Sequence, residues 1–282
     1  MFPGGCNQRG DKPLRNLLNV LAAEMQRQQS GGIYHRLQID FAYNSNHIEG
    51  STLTRDQTRF IFDTQTLGIE AKDQTPVRVN DVIETVNHFR CFDHIIRTAK
   101  EPVTESYIKQ LHAMLKAGIM SDSDDVVVGD YKKYANEVGG RETVSPKAVS
   151  REMQALLGRY DGQEMSLYDI AEFHVDFEHI HPFYDGNGRV GRLLLFKQCL
   201  ENNVVPFFID EFAKAFYYKG LQEWQDAGND ERLINVFLSR QDDMEYWLKY
   251  FEIDYTRTET SYEEVVEAHE ESESIPDPDQ ER

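Results

Sequence analysis

The stretch HPFYDGNGRVGR, residues 181–192, constrains the fold more than any other part of the chain. Its Asp-Gly-Asn-Gly segment at 185–188 has the composition of a tight turn, and glycine lets the backbone approach a ligand without a Cβ clash. The residues that follow predict a helix over 187–202. Because a helix start presents unpaired N–H groups and a positive dipole end, we expect this turn to bind an anion such as phosphate.

The charged side chains of the same stretch suit nucleotide chemistry. Arg189 and Arg192 are three residues apart, so both lie on one face of the first helical turn and can reach phosphate oxygens. Asp185 is a hard oxygen ligand of the kind that Mg²⁺ prefers. His181 is a candidate general base, since an imidazole is largely neutral near pH 7.

A second interpretation of the stretch is a dinucleotide-binding loop. Residues 186–191 fit the pattern G-x-G-x-x-G, and Asp210 follows at about the distance of a ribose ligand. Such a loop must follow a buried strand, whereas residues 178–183 contain two histidines and a proline. The chain also lacks alternating strand and helix patterns. An NAD-binding oxidoreductase is therefore only a third alternative.

Composition narrows the class of protein. The chain has 282 residues, 40% of them hydrophobic, which is typical of a globular protein. Its net charge of −19 argues against nucleic acid as the main partner. Three widely spaced cysteines form neither a disulfide framework nor a zinc pattern, and no segment has transmembrane length. We expect a soluble cytoplasmic protein without a membrane or nucleic-acid partner.

Most of the chain has helical periodicity, so the expected fold class is mainly α. Thr104 and Ser166 are predicted N-caps. The exception is the β-prone segment 126–145, in which residues 138–144 predict a hairpin that closes near a glycine pair. Residues 255–282 contain ten acidic residues and two arginines, and we expect a disordered tail. Helices are predicted at 54–64, 79–98, 104–117, 147–160, 166–180, 187–202, 210–227 and 230–251, after two helical runs between 14 and 50.

The stretch 181–192 resembles the signature H-x-F-x-[D/E]-G-N-G-R-x-x-R of Fic-domain adenylyltransferases at every specified position. The resemblance extends from about Phe41 to Ala227. It implies a Fic-fold helical bundle with a β-hairpin flap, with ATP as substrate and Mg²⁺ as cofactor, Mn²⁺ being an alternative. Related Doc kinases carry lysine where this chain has Gly188, so the resemblance favours AMP transfer over phosphate transfer.

The resemblance also implies roles for individual residues. His181 is the base and Asp185 the metal ligand, with Asn187 on the α-phosphate and the two arginines on the β- and γ-phosphates. The flap covers the nucleotide and receives the target protein. The nucleotide-binding residues implied in this way are Glu49, Val138, Gly139, Gly140, Arg141, Gly186, Asn187, Gly188, Arg189, Val190, Gly191, Arg192, Tyr218 and Gln225.

The segment SNHIEG at 45–50 resembles the inhibitory motif [S/T]-x-x-x-E-[G/N] of the amino-terminally inhibited class of the family. Ser45 and Glu49 are the inhibitory residues implied, and we expect Glu49 to pair with Arg192. In relatives the same glutamate can orient water for the removal of AMP.

The expected function is therefore AMP transfer from ATP to Ser, Thr or Tyr hydroxyls, held back by Glu49, with AMP removal as a second direction. The alternative is a catalytically weak nucleotide-binding regulatory or scaffold protein. We expect amino-terminal helices at 1–100, including the motif at 45–50, a catalytic core at 101–254 with its flap at 136–145, and the acidic tail. We expect a protein substrate, whose identity the sequence does not give, to dock on the flap. We also expect self-AMPylation, and a homodimer is a further option.

Overall fold

A computed structural model describes residues 16–68, 76–119, 127–255 and 257–273. These residues form eleven α-helices and one two-stranded hairpin, so the mainly helical fold expected from the sequence is confirmed. The helices are α1 (Leu17–Arg27), α2 (Ile33–Ile48), α3 (Arg55–Thr64), α4 (Val79–Arg97), α5 (Glu105–Leu115), α6 (Pro146–Arg159), α7 (Leu167–Ile180), α8 (Asn187–Glu201), α9 (Lys214–Ala227), α10 (Glu231–Tyr250) and α11 (Tyr262–Glu273).

The helix starts follow from local capping chemistry. Thr104 Oγ1 accepts a hydrogen bond from Tyr107 N at 3.2 Å, and Ser166 forms a capping box with Asp169. Both predicted N-caps are thereby confirmed. Helix α9 begins at Lys214 rather than Asp210, because Asp210 Oδ1 accepts from Ala213 N and closes a turn there. Each cap satisfies a backbone N–H that would otherwise lack a partner.

Helix α8 forms the centre of the fold. It is buried around its whole circumference, as expected for a helix surrounded by others. Helices α2, α4, α5 and α7 pack against it. Since α8 begins at Asn187, the first turn of this central helix lies at the end of the 181–186 loop. The core therefore fixes the position of the anion-binding turn predicted from the sequence.

Helix α2 connects the amino-terminal helices to this centre. It packs against α1, α3, α4 and α8 and ends beside the start of α9, where Lys214 Nζ donates to Ile48 O at 2.9 Å. One hydrophobic cluster runs from Leu17 in α1 to Val265 in α11. The segments that we divided near residue 100 thus share a single core.

The predicted hairpin is present. Strand β1 (Glu137–Val138) pairs antiparallel with β2 (Arg141–Glu142). The two residues between the strands are Gly139 and Gly140, at φ 58° and 79°. A two-residue turn with positive φ at both positions favours glycine, which explains the pair. Val127 and Val128 lie outside any strand, and Val126 falls outside the described residues.

The expectation of a disordered acidic tail is wrong for residues 262–273, which form α11. Val265 is buried, Tyr262 Oη donates to Asp230 at 2.8 Å, and the His269 ring stacks on Tyr168 with centroids 4.2 Å apart. These side chains give the helix an apolar and aromatic face that packs on α7 and α10. Thr256 and residues 274–282 lie outside the described residues. No helix in the described ranges is long and apolar enough to span a membrane.

Candidate active site

The loop between α7 and α8 begins at His181. This residue ends α7 in the left-handed region, with φ 50°, and its N–H donates to Phe177 O at 2.9 Å. A residue with a Cβ enters this region at a cost, so the surrounding contacts must hold it there. Phe183 supplies one of them, because it is fully buried and its ring stacks on His112 with centroids 3.8 Å apart.

Asn187 fixes the other end of the loop. Its Oδ1 accepts from Phe183 N at 2.7 Å, and its Nδ2 donates to Phe183 O at 2.8 Å. The side chain is buried, and both ends of its amide bind the loop backbone. Contact between this amide and an α-phosphate therefore stays a prediction. Helix α8 has no side-chain cap, so its first N–H groups remain available to an anion.

The imidazole of His181 is poised to accept a proton. Burial and the nearby Lys132 ammonium lower its pKa to about 4, so the ring is neutral at pH 7. Its Nδ1 is buried and has no hydrogen-bond partner. A neutral histidine at the edge of an anion-binding turn can take a proton from an attacking hydroxyl.

Arg192 is bound by the carboxyl end of α2. Its Nη2 lies 2.8 Å from Glu49 Oε1 and 2.9 Å from Ser45 O, and its Nε donates to Ser45 Oγ at 3.1 Å. The guanidinium is buried. Burial raises the pKa of Glu49, but the charge of Arg192 outweighs it and holds that pKa below its ordinary value. The pairing expected between Glu49 and Arg192 is thus present.

The Glu49 carboxylate lies directly over the first turn of α8. A Cβ added at Gly188 would lie 2.5 Å from Glu49 Oε1 and 3.0 Å from Arg192 Nη1. Glycine at this position therefore lets a carboxylate come close to the helix start. Arg192 holds the carboxylate near the turn, where the positive end of the helix also favours a negative charge.

The second arginine is paired with a residue that the sequence did not reveal. Glu84 on α4 lies between two cations, with Oε2 2.6 Å from Arg189 Nη1 and Oε1 2.8 Å from Lys116 Nζ. Lys116 Nζ is also 2.6 Å from Asp185 Oδ2. A single acid or lysine on an amphipathic helix has no motif, so nothing in the sequence marked Glu84 or Lys116. These paired side chains line a cavity of ≈ 810 Å³.

Asp185 fits a magnesium ion only with help from a ligand. Its side chain is half exposed, and although burial opposes ionisation, Lys116 and Arg189 hold its pKa below the ordinary value. In the part of the chain that the structure describes, no group of three His, Cys, Asp or Glu side chains could hold a metal. One carboxylate suits Mg²⁺ that takes its remaining ligands from phosphates and water.

Two residues of the stretch belong to the core. Val190 is fully buried, and its N–H donates to Gly186 O at 3.0 Å. A Cβ at Gly191 would lie 2.3 Å from Glu178 Oε1 and 3.2 Å from His174 Cε1, so this glycine allows α7 and α8 to pack closely. Both residues take part in helix packing, and their contact with a nucleotide stays a prediction.

Glu178, which the sequence analysis also missed, is a buried acid behind the arginines. Its Oε1 is buried without a hydrogen-bond partner. Burial raises its pKa to about 7, although Arg192 acts in the opposite direction.

The tyrosine pair of α9 divides between core and surface. Tyr217 is buried, and its Oη lies 2.7 Å from His174 Nε2, so both have packing roles, as expected. Tyr218 is 41% exposed, and Glu49 and Arg192 both influence its pKa, which burial raises to about 12. Contact between Tyr218 and a nucleotide stays a prediction.

The remaining predicted residues lie at the flap and on α9. Gln225 Nε2 donates to Val175 O at 3.2 Å, a contact that ties α9 to α7. Val138 is exposed, and Arg141 forms an ion pair with Asp226, so the flap touches α9 beside Gln225. Contact of Gln225 or of the flap residues Val138, Gly139, Gly140 and Arg141 with a nucleotide stays a prediction.

The dinucleotide interpretation does not survive these observations. The segment before the glycine run is helix α7 and its carboxyl end, not a strand. Within the described residues the sheet consists of β1 and β2 alone, whereas a dinucleotide-binding fold needs a parallel sheet. Fold and site together define a helical protein with a neutral histidine, a helix start open to anions and two buried arginines around one loop.

Comparison with known proteins gives the family of this domain. Residues 102–199 match the model of the Fic/DOC family. Two protein adenylyltransferases Fic are similar over their matched regions: that of Drosophila erecta is 27% identical over 184 residues, and that of Culex quinquefasciatus 25% over 188. These matches span 64% and 65% of this chain but 36% of each relative. The chain therefore contains a Fic domain.

Solved structures agree on the fold. A Fic domain containing signaling protein from Bacteroides thetaiotaomicron is 22% identical, with a TM-score of 0.67 over 83% of this chain and 96% of that chain. Fic-1 (aa134–508) from C. elegans is 20% identical, with a TM-score of 0.61 over 82% of this chain and 69% of that one. The helical bundle with its small hairpin is the Fic fold.

Proposed function

We propose that this protein transfers AMP from ATP to a hydroxyl group of a protein, and that Glu49 restrains the reaction. The similar proteins from Drosophila erecta and Culex quinquefasciatus are named protein adenylyltransferases, which supports this activity. The observation that carries the proposal is the neutral His181 six residues before an uncapped helix start whose two arginines are buried.

The start of α8 binds the phosphates in this proposal. Its N–H groups and positive dipole end favour an anion, and the Glu49 carboxylate lies close to this position, held by Arg192. Arg189 and Arg192 would bind the β- and γ-phosphates once their present carboxylate partners move away. Each pairing keeps an arginine charged and oriented, so a phosphate replaces one anion by another.

His181 acts as the general base. It takes the proton of the target hydroxyl as the hydroxyl oxygen bonds to the α-phosphorus of ATP. The bond from that phosphorus to the oxygen bridging the α- and β-phosphates breaks, and pyrophosphate leaves with the bonding electrons. The neutral ring is ready for this step at pH 7 because burial disfavours its protonated form.

Asp185 would hold Mg²⁺ against the phosphates, with Mn²⁺ as an alternative ion. When bound, such an ion would supply positive charge against the phosphates and would favour departure of pyrophosphate. Asp185 suits this role because its carboxylate is ionised and half exposed beside Arg189. Lys116 must release the carboxylate when the ion binds, and Glu84 remains as a partner for the ammonium.

Glu49 restrains AMP transfer through Arg192. Its carboxylate pairs with Arg192, the cation that would bind the γ-phosphate. It also adds negative charge close to where that phosphate would lie. A hundredfold suppression requires about 2.7 kcal/mol. A partly buried Arg–carboxylate pair can supply this, since displacement leaves the Glu49 charge without its partner. We propose that the same carboxylate also orients water for removal of AMP.

The flap would receive the target. Its two short strands leave edge N–H and C=O groups to which an extended segment can pair. Self-AMPylation and a homodimer are compatible with this arrangement, and the acceptor is a Ser, Thr or Tyr hydroxyl.

The test uses ATP labelled either at the α- or at the γ-phosphate, with Mg²⁺. Wild type, Glu49→Gln and the double variant Glu49→Gln/His181→Ala are incubated alone and with cell lysate. Glu211→Gln is the control, since Glu211 is an exposed glutamate that lies 3.6 Å from His47. We expect α-label on protein, a rise of about a hundredfold for Glu49→Gln over wild type, and no label for the double variant.

Three results would contradict parts of the proposal. Label from the γ-phosphate alone would indicate a kinase. Equal labelling by wild type and Glu49→Gln would remove the inhibitory role. No label in any variant, together with measurable ATP binding, would favour the non-catalytic nucleotide-binding alternative.

A further inference from the structure

Lys132 is a buried lysine in the loop that precedes the flap. It is 4% exposed, and the ion pairs within the described ranges give it no carboxylate partner. Instead its Nζ donates to Asn136 Oδ1 at 2.8 Å, Thr143 Oγ1 at 2.6 Å and Ile180 O at 3.3 Å. Three acceptors match the three N–H groups of an ammonium, whereas a neutral amine would donate only two. A buried ammonium is costly without a carboxylate, so its place needs an explanation.

The contacts of Lys132 join the flap to the catalytic loop. Asn136 and Thr143 are the residues just outside β1 and β2, and Thr143 N donates to Asn136 O at 3.3 Å. Ile180 O and Pro182 O, which flank His181, accept from Nζ and from the backbone N of Lys132 respectively. A single residue thus binds both ends of the flap and both neighbours of the base.

Asn136 strengthens the same connection. Its Nδ2 donates to Phe183 O at 3.0 Å, two residues beyond His181. The side-chain oxygen of Asn136 accepts from Lys132, so the ammonium also orients this amide. Fully bonded buried networks of this kind hold one geometry.

Lys132 also sets the charge around His181. The charged groups that act on the imidazole are Lys132 from the loop before the flap, Glu49 from the end of α2, and Asp185 from the catalytic loop. After burial, Lys132 is the main influence against protonation of the ring, and the two carboxylates act in favour of it. The nearby cation therefore offsets the two acids.

We propose that Lys132 is a positioning residue, which fastens the flap at a fixed distance from His181 and keeps a positive charge beside the imidazole. A target segment paired to the flap then presents its hydroxyl to an unprotonated base. The catalytic consequence of this inference rests on the proposed AMP transfer. The fastening of the flap and the charge beside His181 can both be measured without an activity assay.

The variants are chosen to separate charge from hydrogen bonding. Lys132→Met removes both, and Lys132→Arg keeps the charge. Thr143→Val keeps the charge but removes the Thr143 hydroxyl, which accepts from Lys132 and donates to Asn136. Titration of the histidine resonances by NMR, with His181 assigned from its loss in His181→Gln, follows the charge. Hydrogen exchange of the amides at 137–142 follows the fastening of the flap.

We expect His181 to titrate at higher pH in Lys132→Met and at the wild-type pH in Lys132→Arg and Thr143→Val, because only the first loses the cation. We expect faster exchange of the flap amides in Lys132→Met and Thr143→Val. Unchanged titration and unchanged exchange in a folded Lys132→Met variant would overturn the inference. If Lys132→Met does not fold, the other two variants decide. Flap amides that exchange in Thr143→Val as slowly as in wild type would count against the fastening. A His181 pKa that is unchanged in Thr143→Val but raised in Lys132→Arg would count against the role of the charge.

A third measurement connects the inference with catalysis. In a Glu49→Gln background, the acid limb of kcat/KM for self-AMPylation should move to higher pH in Lys132→Met and stay in place in Lys132→Arg. The KM for ATP should remain unchanged, since Lys132 does not bind the arginines or Asp185. If the Glu49→Gln variant shows no AMP transfer, the proposed function is contradicted. If it is active but Lys132→Met leaves the pH dependence of kcat/KM unchanged, the role of Lys132 is contradicted.

Discussion

At the scale of single residues, the site depends on a few buried charges whose partners come from distant parts of the chain. Arg192 is paired with Glu49, and Arg189 with Glu84. His181, the proposed base, differs from the arginines because burial keeps its ring neutral, so it needs no carboxylate partner. The residues proposed to bind phosphate and the residue proposed to move a proton are therefore separable by substitution.

The first residue-scale prediction concerns His181→Ala. AMP transfer should be lost while ATP binding survives, because the base contributes to the chemical step and not to phosphate affinity. The measurement is AMP transfer in the Glu49→Gln background, alongside calorimetric titration with ATP. Near-parental transfer by the alanine variant would rule out His181 as the base.

The second concerns Asp185→Ala. Mg²⁺-dependent transfer should be lost and the affinity for Mg·ATP should fall, since the ion no longer bridges protein and phosphates. Calorimetry with and without Mg²⁺ checks this, and Glu211→Ala, which removes an exposed acid, is the control. An unchanged Mg·ATP affinity would exclude Asp185 as the ligand.

The stretch 181–192 made most of the site predictable from sequence, because its chemistry is contiguous. His181, Asp185, the turn and both arginines lie within twelve residues. Glu84, Lys116 and Lys132 could not be found in this way. Each is a lone charged residue whose significance arises only when α4, α5 and the flap loop pack against the catalytic loop.

At the scale of elements, periodicity and caps predicted the helices because each depends on neighbouring residues alone. Disorder was wrongly predicted for the acidic tail because of its high net charge. Tyr262 and Val265 form an apolar face that becomes buried only when this helix packs on the rest of the fold. How closely two helices approach is likewise invisible before the fold is known. Gly220 of α9 is such a case, because its neighbour is the backbone of α10.

We predict that Gly220→Ala destabilises the protein by about 1–3 kcal/mol, since overpacking forces helices apart. The added Cβ would lie 2.9 Å from Leu233 N and 3.0 Å from Leu233 Cα, and the backbone cannot give way as a side chain would. Urea unfolding measures the change. Gly158→Ala in α6 is the control, because its Cβ would meet nothing within 4 Å, and it should stabilise by roughly 0.5–1 kcal/mol. Equal effects of the two substitutions would contradict the packing argument.

At the scale of the whole molecule, buried histidines couple stability to pH. Burial lowers the pKa of His88 and of His174 to about 3, far below the 6.5 of an exposed histidine. The unfolded chain therefore binds these protons first, and stability is lost as pH falls from about 6.5 toward 3. Glu178 opposes this trend, because its pKa is raised to about 7 and the stability it contributes is lost as pH rises between 4.5 and 7.

The histidines outnumber the acid, so we predict lower stability at pH 5 than at pH 7. At pH 5 each of the two most buried histidines costs about 2 kcal/mol. Urea unfolding of wild type and His88→Leu at both values is the measurement, since neither ring nitrogen of His88 has a partner to lose. The leucine variant should show a pH difference smaller by about 2 kcal/mol. The same difference in both proteins would rule out His88 as a source of the acid sensitivity.

The pair of Glu49 and Arg192 joins residues 143 positions apart, with the glutamate first in the chain. At ribosomal rates the arginine is synthesised roughly ten to thirty seconds after the glutamate. A nascent chain that stops early can thus carry Glu49 without the catalytic loop but never the loop without Glu49. Proteolysis from the amino terminus is the opposite case, but removal of α2 also removes Leu37 and Phe41 from the core. The order of synthesis and the need for α2 in the core therefore both act against a folded chain that has the catalytic loop but lacks Glu49.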